Sequence, residues 1–376
     1  MAVARPAPAF AVFFPVASVF AAAVVPAWVL EYAGVLGSPA AGGMLRHGHE
    51  MVFGYALAVA GGYLLTRVSR HQLVVAVAAW LAGRAASWGL PLPGALAAAA
   101  GLAFPLVLLQ LGGRQYLRAA KTMRNAVIGL VIGAFTLAEA VYFGGRLGVI
   151  AGGEALGLGL GVDLIILLLF VMGGRVIAAA TSGAIQRRGD YLAGVAQPRL
   201  ERLGVLALIA MAVGDAAALP VLSAVAGAVA GGVILVRLVR WRFWTVLGDA
   251  AVSLLHLGYA WLGGGLLLLS LAQAGLGMAP PDALHAVMIG GLGTLTMVMM
   301  ARVTLQRTRR PIVIPASVIA AVVAVTVAAV ARIWFGWGGT GLAAVVLAAA
   351  AWSGGFLAFT LFLIRRLLST AQTQAE

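Results

Sequence analysis

The chain has no cysteine and little charge: only 10% of its 376 residues are Asp, Glu, Lys or Arg, and just 11 are acidic. The absence of cysteine excludes disulfides, thiolate zinc sites, iron–sulfur clusters and cysteine nucleophiles. Any metal must therefore be held by histidine, carboxylate or methionine. Because 63% of the residues are hydrophobic, the composition lies far from that of soluble domains and predicts an integral membrane protein.

The few charges are unevenly distributed and give a formal net charge of +14. In a soluble protein this excess would indicate a nucleic-acid partner. Here the arginines fall at the ends of apolar segments, where membrane topology explains them better. We therefore expect contact with the lipid bilayer and no nucleic-acid partner.

Segment length predicts the architecture, since a bilayer core about 30 Å thick needs roughly 20 apolar residues per helix. The prediction is an all-α polytopic bundle of about twelve transmembrane helices, forming a single domain over 1–376. The first span follows Arg5 and is too long for the apolar core of a typical signal peptide, so we expect it to be retained. The spans are expected near 10–30, 47–66, 72–90, 95–112, 125–145, 159–180, 203–219, 222–239, 245–270, 283–303, 312–332 and 340–364.

The basic residues predict the orientation. With a cytoplasmic N-terminus, most of the 25 Lys and Arg residues fall in cytoplasmic connections, among them Arg67 and Arg237. The positive-inside rule then places both termini in the cytoplasm. Arg84 and Arg175 fall within spans, where a charge needs a partner. Haem propionates would suit both arginines, and a salt bridge of Arg84 with Glu139 is the structural alternative.

Five histidines are the main candidate ligands, and topology separates them. His71 follows basic residues in a predicted cytoplasmic loop and is expected to be solvated. His47 and His49 are expected at the outer boundary, His285 at the same level in the tenth span, and His256 near the midplane of the ninth. Each imidazole could simply bond between helices, but histidines on different helices also build haem and metal pockets.

The first two histidines begin the second predicted span. Two positions apart on a regular helix, His47 and His49 point about 200° from one another, so they are expected to serve different partners. Glu50 shares a face with His47, and Phe53 shares a face with His49. At the mouth of the helix, Glu50 is a candidate for proton delivery.

Five segments carry a family resemblance: HGHEMVFG at 47–54, LAGR at 81–84, GGRVI at 173–177, HLGYAW at 256–261, and the stretch 284–305. In this order they closely resemble the NnrS family, bacterial membrane proteins of the nitric oxide response. The resemblance implies about twelve helices, haem b with copper, an inner-membrane location and a role in nitric oxide metabolism or resistance to nitrosative stress. It puts His47, His49, His256 and His285 on the family's motif histidines, whereas His71 matches none.

Several mechanisms are compatible with this resemblance. One or two of the four histidines would be axial ligands of haem iron, and the others would hold copper or ligate a second haem. A haem beside copper could reduce nitric oxide with electrons from a quinol or another donor, whereas histidines paired across the iron would favour electron transfer. The alternatives are a twelve-helix transporter and a non-catalytic sensor or maturation factor for other nitric oxide enzymes.

Overall fold

The computed structural model describes residues 8–35, 43–66, 68–88, 92–118, 123–339 and 341–375. These residues form helices and no β-strand. Arg5 and Arg67, which enter the topology prediction, lie outside them. A short 3₁₀ helix, Phe243–Val246, lies between α8 and α9. Besides it, twelve helices follow one another in the described part: α1 Ala9–Tyr32, α2 43–64, α3 Arg70–Trp88, α4 94–118, α5 Met123–Arg146, α6 Gly153–Gln186, α7 Pro198–Ala216, α8 Pro220–Arg240, α9 Ala250–Gln273, α10 Pro280–Arg307, α11 Ala316–Gly336 and α12 Leu342–Ala375.

Eight of these helices contain a stretch long and apolar enough to cross a membrane, counted over the described residues. They are α1, α4, α6 and α8 to α12. The other four predicted spans coincide with α2, α3, α5 and α7, which are helical. The helices therefore support a membrane protein, while the count of twelve spans and the cytoplasmic termini stay predictions.

Local sequence explains where several helices begin and end. Proline occupies the first turn of α7, α8 and α10, where its missing N–H costs no helical hydrogen bond. The Asp249 side chain caps α9 by accepting from the Ala251 N–H at 3.1 Å. After α9, Gly275 has a φ of +79°, a left-handed conformation that glycine adopts without a Cβ penalty.

Four helices in the described residues contain a π-helical stretch, which the sequence did not lead us to expect. These stretches are Glu50–Ala56 in α2, Leu109–Gly113 in α4, Leu169–Gly173 in α6 and Ala286–Gly293 in α10. His49 immediately precedes the first, and His285 immediately precedes the last. π-helical turns interrupt the regular backbone and are frequent at functional sites. Three of these four stretches overlap a motif segment, whereas Leu109–Gly113 overlaps none.

The chain divides into two compact units. Unit 1 comprises Met1–Val24 and Leu30–Leu164, and unit 2 comprises Val25–Val29 and Ile165–Glu376. In unit 1, Phe13 and Phe104 pack with ring centroids 5.4 Å apart. The largest fully buried side chains of unit 2 include Trp241 and Trp352. The prediction of a single polytopic domain over 1–376 stays a prediction.

Candidate functional site

A buried charged cluster lies in unit 1, centred on Glu50. This carboxylate is 0% exposed and accepts hydrogen bonds from Arg84 Nη1 at 2.7 Å and Trp88 Nε1 at 3.0 Å. His49 Nδ1 lies 3.1 Å from Glu50 Oε1. Both carboxylate oxygens are therefore occupied, and Glu50 is held as an anion beside Arg84, which is only 8% exposed.

Helix α3 presents one face to this cluster. Trp80, Arg84 and Trp88 follow one another at intervals of four residues, which places their side chains along one side of the helix. Trp80 Nε1 donates to the Gly54 carbonyl at 2.9 Å. A Cβ atom on Gly54 would lie 2.7 Å from Arg84 Nη1, so a glycine in the π-helical stretch of α2 makes room for the guanidinium. Sequence reasoning missed both tryptophans, although their spacing around Arg84 was visible.

His49 joins this cluster to helix α5. Its Nε2 lies 3.3 Å from Glu139 Oε1, and its ring stacks on Tyr142 with centroids 4.4 Å apart and planes at 26°. The Phe53 ring centroid lies 5.1 Å from that of His49. Within the described residues, Glu139 Oε2 has no hydrogen-bond partner although Glu139 is 0% exposed. One guanidinium, two carboxylates and an imidazole thus share an interior site.

Two sequence expectations need correction here. The expectation that Arg84 forms a salt bridge with Glu139 is wrong, because Arg84 pairs with Glu50, and Glu139 contacts His49. Glu50 does not stand at a helix mouth, since α2 begins at Gly43 and Glu50 is fully buried. The helix also begins ahead of His47, so both histidines lie on helical backbone and diverge as expected.

His256 is the histidine with the best-defined environment in unit 2. It is 4% exposed, and its Nε2 lies 2.8 Å from Thr181 Oγ1. Thr181 has a single hydroxyl proton, which it donates to the Ile177 carbonyl at 2.7 Å. Both contacts of Thr181 are hydrogen bonds only when His256 Nε2–H is the donor to Thr181, which leaves the lone pair on Nδ1. Within the described residues, this buried Nδ1 has no hydrogen-bond partner.

An aromatic cage around Arg237 adjoins His256. Arg237 is 3% exposed, and its guanidinium carbon lies 4.8 Å from the Trp241 ring and 5.0 Å from the Phe170 ring. Arg237 Nη1 donates to the Tyr259 hydroxyl at 3.0 Å. Trp241 also meets His256 edge to face, with ring centroids 6.4 Å apart. Cation–π contacts thus stabilise a buried charge next to the histidine.

The expectation that Arg237 lies in a connection between helices is corrected, because it lies in the last turn of α8; its cytoplasmic side stays a prediction. Arg237 lies inside α8, where the described residues offer it no carboxylate partner. Gly174 makes this position accessible, because a Cβ there would lie 2.6 Å from Arg237 Nη2. The sequence showed a basic residue near a helix end, and only packing shows that aromatic faces surround it.

His285 lies at a different level of unit 2 from His256. A Cβ atom on Gly258 would meet Leu295 and Thr294, and one on Gly265 would meet Val287, so α9 and α10 run antiparallel. This register places His285 about ten residues, or roughly 15 Å, from His256 along α9. Direct ligation of one ion by both imidazoles is therefore excluded by distance.

The His285 ring nevertheless has a defined tautomer. Its Nδ1 lies 2.7 Å from the Pro281 carbonyl, which can only accept, so Nδ1 carries the proton and Nε2 the lone pair. A metal-binding imidazole commonly donates its second nitrogen to a carbonyl in this way. His285 and His256 each present one basic nitrogen, whereas both nitrogens of His49 face carboxylates.

Arg175 lies in a separate cleft of unit 2. Its Nη2 is 3.9 Å from Glu201 Oε1, beyond hydrogen-bond range. The cleft has a volume of about 1030 Å³ and is also lined by Arg187 and Arg302. Among the described residues that line it, none is histidine. A haem whose propionate met Arg175 would therefore find no histidine ligand among the described residues that line this cleft.

The two expected cofactors, copper and haem, require different sets of protein ligands. Nowhere in the described ranges are three His, Asp or Glu side chains arranged to hold a metal ion. The described residues therefore do not fit a copper centre built from several side chains. A haem iron needs only one axial nitrogen from the protein, and the buried Nδ1 of His256 would serve as one. The residues fit haem better than copper.

Sequence comparison gives one clear match. A family model described as NnrS protein matches residues 7–370, nearly the whole chain. No curated protein matches the chain. The match covers every segment on which the resemblance rested, from the histidines of α2 to the end of α10.

Proposed function

Because the chain belongs to the NnrS family, which associates it with the nitric oxide response, we propose that it is a haem b protein of nitric oxide metabolism. It would reside in the bacterial inner membrane, bind nitric oxide and protect against nitrosative stress. The observation that carries this proposal is His256, a 4% exposed imidazole whose Nε2 is engaged by Thr181 and whose Nδ1 lone pair faces the protein interior.

The surroundings of His256 suit this role. Thr181 holds the ring in one tautomer, which orients the basic nitrogen as a partner outside the ligand shell does. Leu255 and Tyr259, both 0% exposed, exclude water from the adjoining turns of α9. A bound haem would supply an iron centre at which nitric oxide coordinates. Nitric oxide is small, uncharged and soluble in lipid, so it needs no transport path to reach a site between helices.

Reduction of nitric oxide is a further prediction. It consumes electrons and protons, so it requires a quinol or another electron donor. Glu50 stays a candidate for proton delivery, although its three donors favour a fixed carboxylate. Copper, His47 and His49 as ligands, and propionate contacts of Arg84 and Arg175 stay predictions of the resemblance.

We expect His256→Ala to lose most of the bound haem, because it removes the buried axial nitrogen. His71→Ala is the matched control, since His71 is exposed at the start of α3 and should retain haem at the wild-type level. Haem content follows from the Soret absorption of protein purified after expression with ample haem, and addition of nitric oxide to the reduced protein should shift that band.

Three results would decide against parts of the proposal. Absence of a Soret band would remove haem altogether. Equal haem content in the His256 and His71 variants would reject His256 as the ligand, and His285→Ala then tests the second candidate. A six-coordinate haem that does not respond to nitric oxide would reject nitric oxide binding and favour electron transfer or a sensor role.

A further inference from the structure

The cleft that contains Arg175 lies along the ends of three helices of unit 2. Its walls come from the last turns of α6, the first turn of α9 and the end of α10. All three helices are apolar enough to cross a membrane. In a bilayer the ends of such helices would stand near the lipid headgroups, so the cleft would lie where protein, headgroup and acyl chain meet.

Three arginines give the cleft a strongly positive wall. Arg187 has a side chain 68% exposed, and the Arg175 side chain is 21% exposed, so positive charge extends from the rim inward. Arg302 Nη1 donates to the Ala251 carbonyl at 2.6 Å, which holds its guanidinium against the first turn of α9. The N-terminus of α9 adds its partial positive charge on the same side.

Two carboxylates face these arginines: Asp249 in the lining, and Glu201 outside it, whose Oε1 lies 3.9 Å from Arg175 Nη2. Asp249 lines the cleft, and its Oδ2 accepts from Arg187 Nη2 at 3.2 Å, while its Oδ1 caps α9. Three guanidinium groups against these two carboxylates leave a formal excess of one positive charge. This excess favours an anion with more than one acceptor oxygen.

The apolar part of the lining selects the kind of anion. Ile312, Val313 and Ile314 form one side, and Val313 is 71% exposed. A volume of about 1030 Å³ is far larger than a free inorganic anion requires. Exposed aliphatic side chains beside arginines fit an amphiphile whose anionic head meets the guanidinium groups and whose hydrocarbon meets the aliphatic wall.

We propose that this cleft binds the phosphate headgroup of an anionic phospholipid, with an acyl chain against Ile312 and Val313. Arg175, Arg187 and Arg302 would share the phosphate oxygens, and Asp249 would moderate the affinity. A haem propionate is a poorer occupant, because none of the described residues lining the cleft is histidine. The inference does not depend on the proposed role in nitric oxide metabolism.

The test compares ligand binding to the purified full-length protein in detergent. Dioleoyl phosphatidylglycerol is titrated into three proteins: the wild type, the cleft triple variant R175Q/R187Q/R302Q and the control triple variant R199Q/R202Q/R240Q. Bound lipid is counted by native mass spectrometry. The control arginines are exposed in unit 2 and do not line the cleft, so both triples lose the same charge. We expect the cleft triple to raise Kd by about tenfold or more and the control by less than about twofold.

A variant that binds lipid more tightly shows that a change in affinity is not caused by misfolding. Asp249→Asn removes one of the opposing charges but keeps a side chain that caps helices well, so it should tighten phosphatidylglycerol binding about threefold or more. Dioleoyl phosphatidylcholine and dioleoylglycerol should bind wild-type protein about tenfold more weakly than phosphatidylglycerol.

Several results would overturn the proposal. These are equal Kd values for the two triple variants, weaker binding by Asp249→Asn, or binding of inorganic phosphate as tight as that of phosphatidylglycerol. The last would assign the cleft to free phosphate. Loss of haem from the cleft triple with unchanged lipid binding would assign the arginines to propionates. A failure of haem binding in all proteins alike would reject only the proposed function.

Discussion

Replacing Arg84 with methionine is expected to lower the free energy of unfolding by about 3–5 kcal/mol, because it leaves a buried carboxylate without its cation. Glu50 is 0% exposed, and Arg84 Nη1 lies 2.7 Å from its Oε1. Trp88 and His49 would remain as contacts, but neither carries the permanent charge of a guanidinium. Reversible unfolding of the purified protein in mixed micelles measures the change.

The matched control is Glu31→Gln, which breaks the ion pair of Arg46 with Glu31 in the same unit and keeps the contact of Arg46 with the Trp88 ring. The side chains of this ion pair are 23% and 19% exposed, so the loss should stay below about 1 kcal/mol. The double variant Glu50→Gln with Arg84→Met should recover part of the loss, since no charge is then left unpaired at Glu50. A similar small loss for the Arg84 and Glu31 variants would contradict this explanation of the cluster.

Substitution of Gly157 by alanine is expected to destabilise unit 1 by about 1–3 kcal/mol or more through overpacking. A Cβ atom there would lie 2.4 Å from the Ala138 carbonyl oxygen and 2.4 Å from the Tyr142 amide nitrogen. These are backbone atoms of α5, so a rotamer change cannot relieve the clash. The displaced segment carries Tyr142, whose ring stacks on His49.

Gly159 provides the control for this prediction, two residues along the same helix. Within the described residues, no heavy atom beyond its own helix backbone and chain neighbours lies within 4 Å of an added Cβ. Gly159→Ala should be neutral or stabilising by up to about 1 kcal/mol, because alanine has the higher helix propensity. Unfolding midpoints in mixed micelles compare the two variants, and equal midpoints would show that α5 and α6 can separate without cost.

The spacing of the glycines on α6 predicts only part of the close contact between α6 and α5. Gly153, Gly157 and Gly161 recur every fourth residue and so lie on one face, a pattern that allows close helix packing. The partner could not be read from it: Gly153 and Gly157 approach α5, whereas a Cβ on Gly161 would meet Val52 and Phe53 of α2. A glycine stripe indicates that a helix is approached closely, and the tertiary structure decides by which one.

For the π-helical stretches, too, the sequence indicates one part of the outcome and the tertiary structure decides the rest. Adjacent glycines occur at 112–113, 173–174 and 290–291, within or at the end of three of the four stretches. Glycine weakens a regular helix, but the adjacent glycines at 61–62, 231–232 and 263–265 lie in regular α-helix, so a glycine pair alone does not predict a π-helical stretch. Whether the extra residue forms a kink, a break or a π-turn depends on which neighbouring side chains must be accommodated.

Composition and segment length alone establish a helical membrane protein, and the ordered motifs establish its family, since both depend on local sequence. The partners of the buried charges required the tertiary structure. Arg84 could reach Glu50 or Glu139, and the rotation of α2, α3 and α5 about their axes selects Glu50 for Arg84 and Glu139 for His49. In unit 2, helix register separates His256 from His285 and gathers three arginines into one cleft. Hydrophobicity specifies that each helix is buried or spans the bilayer, whereas rotation and register are set by side-chain packing between segments distant in sequence.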